Sequence, residues 1–157
     1  MSSVTLVSAG HAVGGWNFHL QFTPAYRRRI FEDDELKKAC ERVAREVAAR
    51  LKIEVAASEF GPDHWHLFVT NCKNYSAPKL VQYFKGNTSR VLRRDYNDRV
   101  KKMLWGDHFW SHGYFAETIG RVTGDTVNYI ERQQKKHWNT KPQKPNTQKT
   151  LQEYSVN

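Results

Sequence analysis

The chain has 157 residues, with 25 Lys and Arg against 16 Asp and Glu, for a formal net charge of +9. That length suits one domain, and a chain of roughly 150 residues buries about two thirds of its unfolded surface, so disulfides are not required. A hydrophobic content of 39% beside 26% charged residues excludes collagenous and wholly disordered classes.

The positive excess points to a polyanionic partner, nucleic acid first among them. No apolar run approaches the ~18 residues of a membrane span, and the first fifteen residues lack the basic region and long apolar core of a secretory signal. A cytoplasmic protein with no membrane partner is expected. Cys40 and Cys72 stand far apart and outside any C-x-x-C pattern, against a disulfide framework or a structural zinc site.

Residues 1–15, with Gly10, Gly14 and Gly15, read as an extended or mobile N-terminal arm. From Trp16 to Thr23 the side chains alternate, with Trp16, Phe18, Leu20 and Phe22 on one side and Asn17, His19, Gln21 and Thr23 on the other, which predicts a half-buried strand. Pro24 ends it before the basic cluster Arg27-Arg28-Arg29. Leu36, Ala39, Cys40, Val43, Ala44, Val47 and Leu51 mark one helical face over Asp33 to Leu51, with Asp33, Asp34 and Glu35 at the end that favours negative charge. Ile53 to Phe60 and His64 to Asn71 read as strands joined by the hairpin loop Gly61-Pro62-Asp63. Ser76 and Pro78 open a second helix that runs to about Tyr96, weakened at Gly86. The aromatic stretch Leu104 to Ile119 suits a strand in its second half. A last helix starts at Thr123 or Asp125 and ends near His137, and residues 139–157 read as a flexible basic tail. The expected architecture is therefore α+β over residues 16–138: a ferredoxin-like, split βαβ antiparallel sheet with helices on one face and an added C-terminal helix. That fold alone decides no function.

Two features could carry chemistry. His64 and His66 sit two apart on a strand, so both imidazoles project from one face, opposite Trp65, Leu67 and Val69. They are either half of a metal site or two ordinary hydrogen-bonded histidines. His19 and His108 are expected to be dispensable, because only the first pair shares a strand face at that spacing. Tyr129 and Gln133 lie four apart on the last helix, beside Thr126 and away from Val127 and Ile130. A tyrosine hydroxyl must be activated before it can attack.

The segment Pro62-Asp63-His64-Trp65-His66-Leu67-Phe68-Val69 resembles the P-D-H-x-H-L-F-V signature of the single-tyrosine HUH transposases of prokaryotic insertion sequences, the IS200-like family. Further likenesses follow in the family's order. Pro24-Ala25-Tyr26-Arg27-Arg28 is similar to P-K-Y-R-R, and the helix from Leu80 to Arg90 is similar to the L-K-G-x-T-S helix. Trp105 to Gly120 is similar to the W-G…W-S-x-G-Y-F-x-x-T-x-G block, and Tyr129-Ile130-Glu131-Arg132-Gln133 to Y-I-E-x-Q.

The resemblance implies an enzyme that cleaves and rejoins single-stranded DNA at insertion-sequence ends. Carried over residue by residue, His64, His66 and Gln133 match the metal ligands and Tyr129 the nucleophile, which would form a 5′-phosphotyrosine. Mg²⁺ or Mn²⁺ suits two imidazoles and an amide, since a zinc site would favour thiolates. The resemblance also implies hairpin-containing DNA as partner and a homodimer with composite active sites. Arg27, Arg28, Arg29, Lys79, Lys85, Arg90, Arg93 and Arg94 are the candidate phosphate contacts, with Tyr83, Trp105 or Trp110 for base stacking or core packing. Three departures stand out: Gly61 for a larger residue, Trp65 for a small aliphatic and Ala25 for lysine. His137, one turn beyond Gln133, is an alternative ligand or a surface residue. Two rival functions are a repeat-associated or replication-type HUH nicking enzyme and a non-catalytic single-strand-binding module. Binding alone would require neither H-x-H nor Y-x-x-x-Q.

Overall fold

The computed structural model describes residues 7–9, 12–14 and 16–119. The expected C-terminal helix, with Tyr129, Gln133 and His137, and the expected tail at 139–157 lie outside the described residues. Within the N-terminal arm, two short strands, β1 (Val7–Ala9) and β2 (Ala12–Gly14), pair antiparallel.

The main sheet contains β3 (Asn17–Phe22), β4 (Glu54–Gly61), β5 (His64–Thr70) and β6 (Phe115–Ile119) in the spatial order β4-β5-β3-β6. Every neighbour is antiparallel. Because β5 lies between β3 and β4, the connection from β3 through the first helix skips one strand, which is the split βαβ arrangement expected from the element order. On one face the alternation buries Leu20, Phe22, Trp65, Leu67 and Val69 completely.

Two helices supply the apolar stripes that pair with this core. Helix α1 (Asp34–Leu51) buries Leu36, Ala39, Cys40, Val43, Ala44, Val47 and Ala48. It starts where it does because the Asp33 carboxylate accepts hydrogen bonds from the Glu35 and Leu36 amides, at 3.0 and 3.3 Å, a cap typically worth about 1 kcal/mol. Helix α2 (Ala77–Asp95) buries Leu80, Val81, Phe84, Thr88 and Leu92, with Pro78 in its first turn where no amide is needed. Gly86 does not interrupt it, and a methyl group there would meet nothing. A short helix, α3 (Asn97–Met103), follows and tucks Val100 into the core. Apolar spacing predicts no element beyond about Tyr96, because the seven residues of α3 offer only one buried position, too few to show a period. Among the described residues no helix is long and apolar enough to cross a membrane.

One end of the core is aromatic. Trp65 is sandwiched by Phe60, with ring centroids 5.4 Å apart, and by Trp110 at 5.9 Å, with Phe22 at 5.2 Å. The Trp65 indole N–H is satisfied by Ser58 Oγ at 2.9 Å, and that of Trp110 by Thr88 Oγ1 at 3.0 Å. Trp110 is thus a core residue, which removes it from the stacking candidates. The tryptophan between the two histidines anchors the hairpin rigidly from beneath.

Candidate active site

The sheet face opposite the helices carries the polar members of the alternating strands. The β4–β5 turn is tighter than the expected three-residue loop, because Gly61 pairs with His64 and leaves only Pro62 and Asp63 as linking residues. Strand register then sets His66 across from Gln21 and Glu59, and His19 across from Phe68 and Glu117. The His64 and His66 ring centroids stand 5.1 Å apart at a steep angle of 85°. The first ring is buried and the second half-buried.

Each imidazole is held through its Nδ1. His64 Nδ1 lies 2.9 Å from Asp63 Oδ1, and the other Asp63 oxygen lies 3.3 Å from Arg27 Nε. The hydrogen bond from His64 holds the Asp63 carboxyl below its ordinary range, against burial and with help from Arg27. His66 Nδ1 lies 2.8 Å from His19 Nε2, and Glu117 Oε2 is 3.8 Å from the remaining nitrogen of His19. Burial pushes His19 below the usual histidine range, with Glu117 opposing. With Nδ1 of both rings engaged, any ligation at His64 and His66 falls to Nε2. The donor set suits a divalent cation held by nitrogen and oxygen ligands, although no cluster of three His, Cys, Asp or Glu residues is present among the described residues.

His19 corrects the spacing argument. Counting along one strand identifies His64 and His66 as partners, but β3 lies beside β5 and its polar side chains share the face of the two histidines. His19 therefore stands within hydrogen-bonding reach of His66, stacked on Phe68 with centroids 4.2 Å apart. His108 is exposed and packed edge to face with His112 at 4.7 Å.

Gly61 explains one departure from the family pattern. A side-chain carbon on Gly61 would overlap the Cε1, Nε2 and Nδ1 atoms of the His64 ring, so the glycine makes room for the imidazole where it lies against Asp63. Gly61→Ala is expected to displace that ring and lower divalent-cation affinity roughly 10- to 100-fold, the range seen when a ligand's orientation is lost. The same substitution in a His64→Ala background should change affinity no further. Isothermal titration with Mn²⁺ on the four chains checks both statements.

The chain and its fold are similar to known proteins. The family model described as "Transposase IS200 like" matches residues 12–133. The chain belongs to the IS200-like transposase family. It is 28% identical over 120 residues to the transposase for insertion sequence element IS200 of Salmonella typhimurium, covering 75% of this chain and 78% of that protein. It is 29% identical over 120 residues to the ISDra2 transposase TnpA of Deinococcus radiodurans, covering 76% and 84%. A solved Deinococcus radiodurans structure assigned as a transposase superposes with a TM-score of 0.66 at 24% identity, covering 82% of this chain and 98% of that one. A REP-associated tyrosine transposase, solved bound to a REP hairpin, shares the fold with a TM-score of 0.54 at 12% identity, covering 81% and 69%.

The basic candidates of this IS200-like transposase divide by what holds them. Arg27, Arg28 and Arg29 sit on a loop pinned at several points: the Ala25 amide donates to Phe109 O, the Phe31 amide to Pro62 O, and the Ser111 amide to Thr23 O. Within this loop Tyr26 and Arg27 adopt left-handed backbone angles (φ 58° and 51°), which for non-glycine residues costs roughly 1–2 kcal/mol each. Tyr26 is 80% exposed, and Arg28 lies over the ring of Trp105, itself 60% exposed, at 3.9 Å. An aromatic ring and a guanidinium in that stack suit a nucleic acid base and its phosphate. Arg29 pairs with Glu32, Arg90 with Asn87 and Arg94 with Asp95, all at the surface, while Lys79 is exposed near Tyr83. Arg93 donates to Gly106 O at 2.9 Å, fixing the turn that presents Trp105. Lys85 is a different case. Its half-buried ammonium donates to Ser111 O and Gly113 O at 2.8 Å each, and burial lowers its pKa, so it ties α2 to the Ser111–Gly113 loop.

Proposed function

We propose that this transposase cleaves and rejoins single-stranded DNA at hairpin-bearing element ends, with Tyr129 as nucleophile and a divalent cation, Mg²⁺ or Mn²⁺, held by His64, His66 and Gln133. The observation that carries the reading is the pair of imidazoles on one sheet face, each with its Nδ1 within hydrogen-bonding distance of a neighbour, which would leave ligation to Nε2. When bound, such a cation supplies Lewis-acid polarisation of the scissile phosphate. The chain's own residues do the rest. Tyr129 Oη gives up its proton and forms the new bond to phosphorus, and the 3′-oxygen of the preceding nucleotide leaves and takes up a proton. The resulting 5′-phosphotyrosine conserves the energy of the broken linkage, so a second 3′-hydroxyl reverses the exchange and joins a new partner. Arg28 on Trp105, with exposed Tyr26 beside the Arg27–Asp63 pair, forms a base-stacking surface leading to the histidines.

Support for a hairpin-bearing partner comes from the REP-associated tyrosine transposase, solved with its REP hairpin on the same fold. We further propose a homodimer in which the Tyr129 helix of one subunit serves the histidines of the other. The test uses labelled single-stranded hairpin DNA resolved on denaturing gels. The wild-type chain should form a covalent adduct with Mg²⁺ or Mn²⁺ and none with chelator. His64→Ala and His66→Ala should each lose at least about 100-fold in cleavage, given what a polarising cation contributes. Full activity in both variants would sink the metal-site reading.

A further inference from the structure

We infer that His19 is a positioning residue for His66, fixing the tautomer and ring orientation that put the His66 lone pair on Nε2, the nitrogen a cation would take. The inference deepens the metal-site reading above and rests on it. Its basis is the line of side chains across three adjacent strands: Glu117 on β6, His19 on β3 and His66 on β5. His19 Nε2 and His66 Nδ1 are 2.8 Å apart, and Glu117 Oε2 stands 3.8 Å from His19 Nδ1.

One proton lies between the two rings, and two assignments are possible. If His19 donated it, His66 Nδ1 would be the acceptor, the remaining proton of neutral His66 would sit on Nε2, and that nitrogen could not ligate. If His66 donates it, His19 Nε2 is the acceptor, the His19 proton sits on Nδ1 facing Glu117, and His66 carries its lone pair on Nε2. The Glu117 carboxylate is too far for a hydrogen bond but near enough to favour a proton on the nitrogen it faces, which selects the second assignment. Without an acceptor at Nδ1, a neutral histidine side chain favours its proton on Nε2 instead. The ring of His19 is itself held, stacked on Phe68 at 4.2 Å and edge-on to Phe115 at 5.5 Å, so the acceptor is in place before any cation arrives. The mirrored element is Arg27–Asp63–His64, where a carboxylate accepts a hydrogen bond from Nδ1 of the other imidazole. The two ligand histidines are thus set by different partners: an acid from the hairpin turn and a histidine from the neighbouring strand.

Two substitutions separate positioning from packing. His19→Phe keeps an aromatic ring on Phe68 and removes the acceptor, whereas His19→Gln gives up the ring and keeps an acceptor oxygen near the position of Nε2. The full-length chain is labelled with nitrogen-15, and long-range proton–nitrogen spectra without metal report the His66 tautomer. Mn²⁺ affinity is read from the electron paramagnetic resonance of free Mn²⁺. Wild type and His19→Gln should hold the His66 proton on Nδ1. His19→Phe should move it to Nε2 and weaken Mn²⁺ binding roughly 10- to 100-fold, as loss of an outer partner does, with its melting temperature preserved by the retained stack. A His66 proton on Nε2 in wild type, or a His19→Phe chain with wild-type tautomer and affinity, would overturn the inference. Should wild type bind no Mn²⁺, the metal reading fails, and the tautomer comparison still decides whether His19 sets His66.

Discussion

Tyr129→Phe is expected to abolish cleavage and covalent attachment, by about 10⁴-fold or more, because removal of a nucleophile disables the step outright. Only one oxygen is lost, so binding of labelled hairpin DNA, followed by fluorescence anisotropy, should stay close to wild type. The chain contains other tyrosines, and the structure ranks them as rivals. Tyr83 is half-buried against Tyr75, and Tyr114 is partly exposed near the ammonium of Lys85. Tyr26 is the strongest, since it is almost fully exposed and its neighbour Arg27 pairs with the acid that holds His64. Tyr26→Phe should nevertheless retain cleavage, because its ring survives for stacking. Tyr154 lies outside the described residues and is tested in the same series. A covalent adduct persisting in Tyr129→Phe and vanishing in one of the others would move the nucleophile there.

Much of the sheet was legible because β3 and β5 alternate, with Leu20, Phe22, Trp65, Leu67 and Val69 all buried on one face. The alternation from Trp16 to Thr23 and the apolar face of Asp33 to Leu51 each correspond to an observed element, displaced by a residue or two at the ends. The H-x-H pair was legible for the same reason, since period two within one strand is a local property. His19 was not, because its relation to His66 depends on which strands are neighbours and on their register, and neither is written in local spacing. Applying the expected split βαβ order to the polar set Asn17, His19, Gln21 and Thr23 would have put His19 on the histidine face, though not opposite a particular residue.

Charge was the least informative signal taken residue by residue. Arg28 and Lys85 look alike in the sequence, yet one lies over an exposed tryptophan and the other is spent on two loop carbonyls. Likewise Trp105 and Trp110, five residues apart in one aromatic run, end respectively at the surface and in the core. What distinguishes them is the Pro24–Trp110 bridge that draws the second tryptophan inward beneath the sheet. Such pairing between distant segments leaves no trace in composition.

The assembly prediction has the second large effect, and strand register supplies its distance argument. Phe115 pairs with Gln21, which in turn pairs with His66, while β6 ends four residues later at Ile119, opposite Asn17. At roughly 3.3 Å per residue, the chain leaves β6 about 13 Å along the sheet from the His66 row and two strands, about 10 Å, across from it. The expected helix carrying Tyr129 would therefore double back over the histidine face to serve its own histidines, or continue outward to serve a partner's. The sequence places Gly120 and Gly124 between Ile119 and Tyr129, residue types compatible with either course. Mixing a His64→Ala/His66→Ala chain with a Tyr129→Phe chain distinguishes them. In the outward arrangement each heterodimer regains one site, built from the intact histidines of the second chain and the tyrosine of the first. Random exchange between equal amounts should then recover about a quarter of wild-type cleavage, half the dimers being mixed with one working site each. In the folded-back arrangement every site in the mixture lacks either its tyrosine or its histidines. No cleavage after exchange verified by differently tagged subunits would refute the composite site, and recovery near a quarter would assign Tyr129 to the partner's histidines.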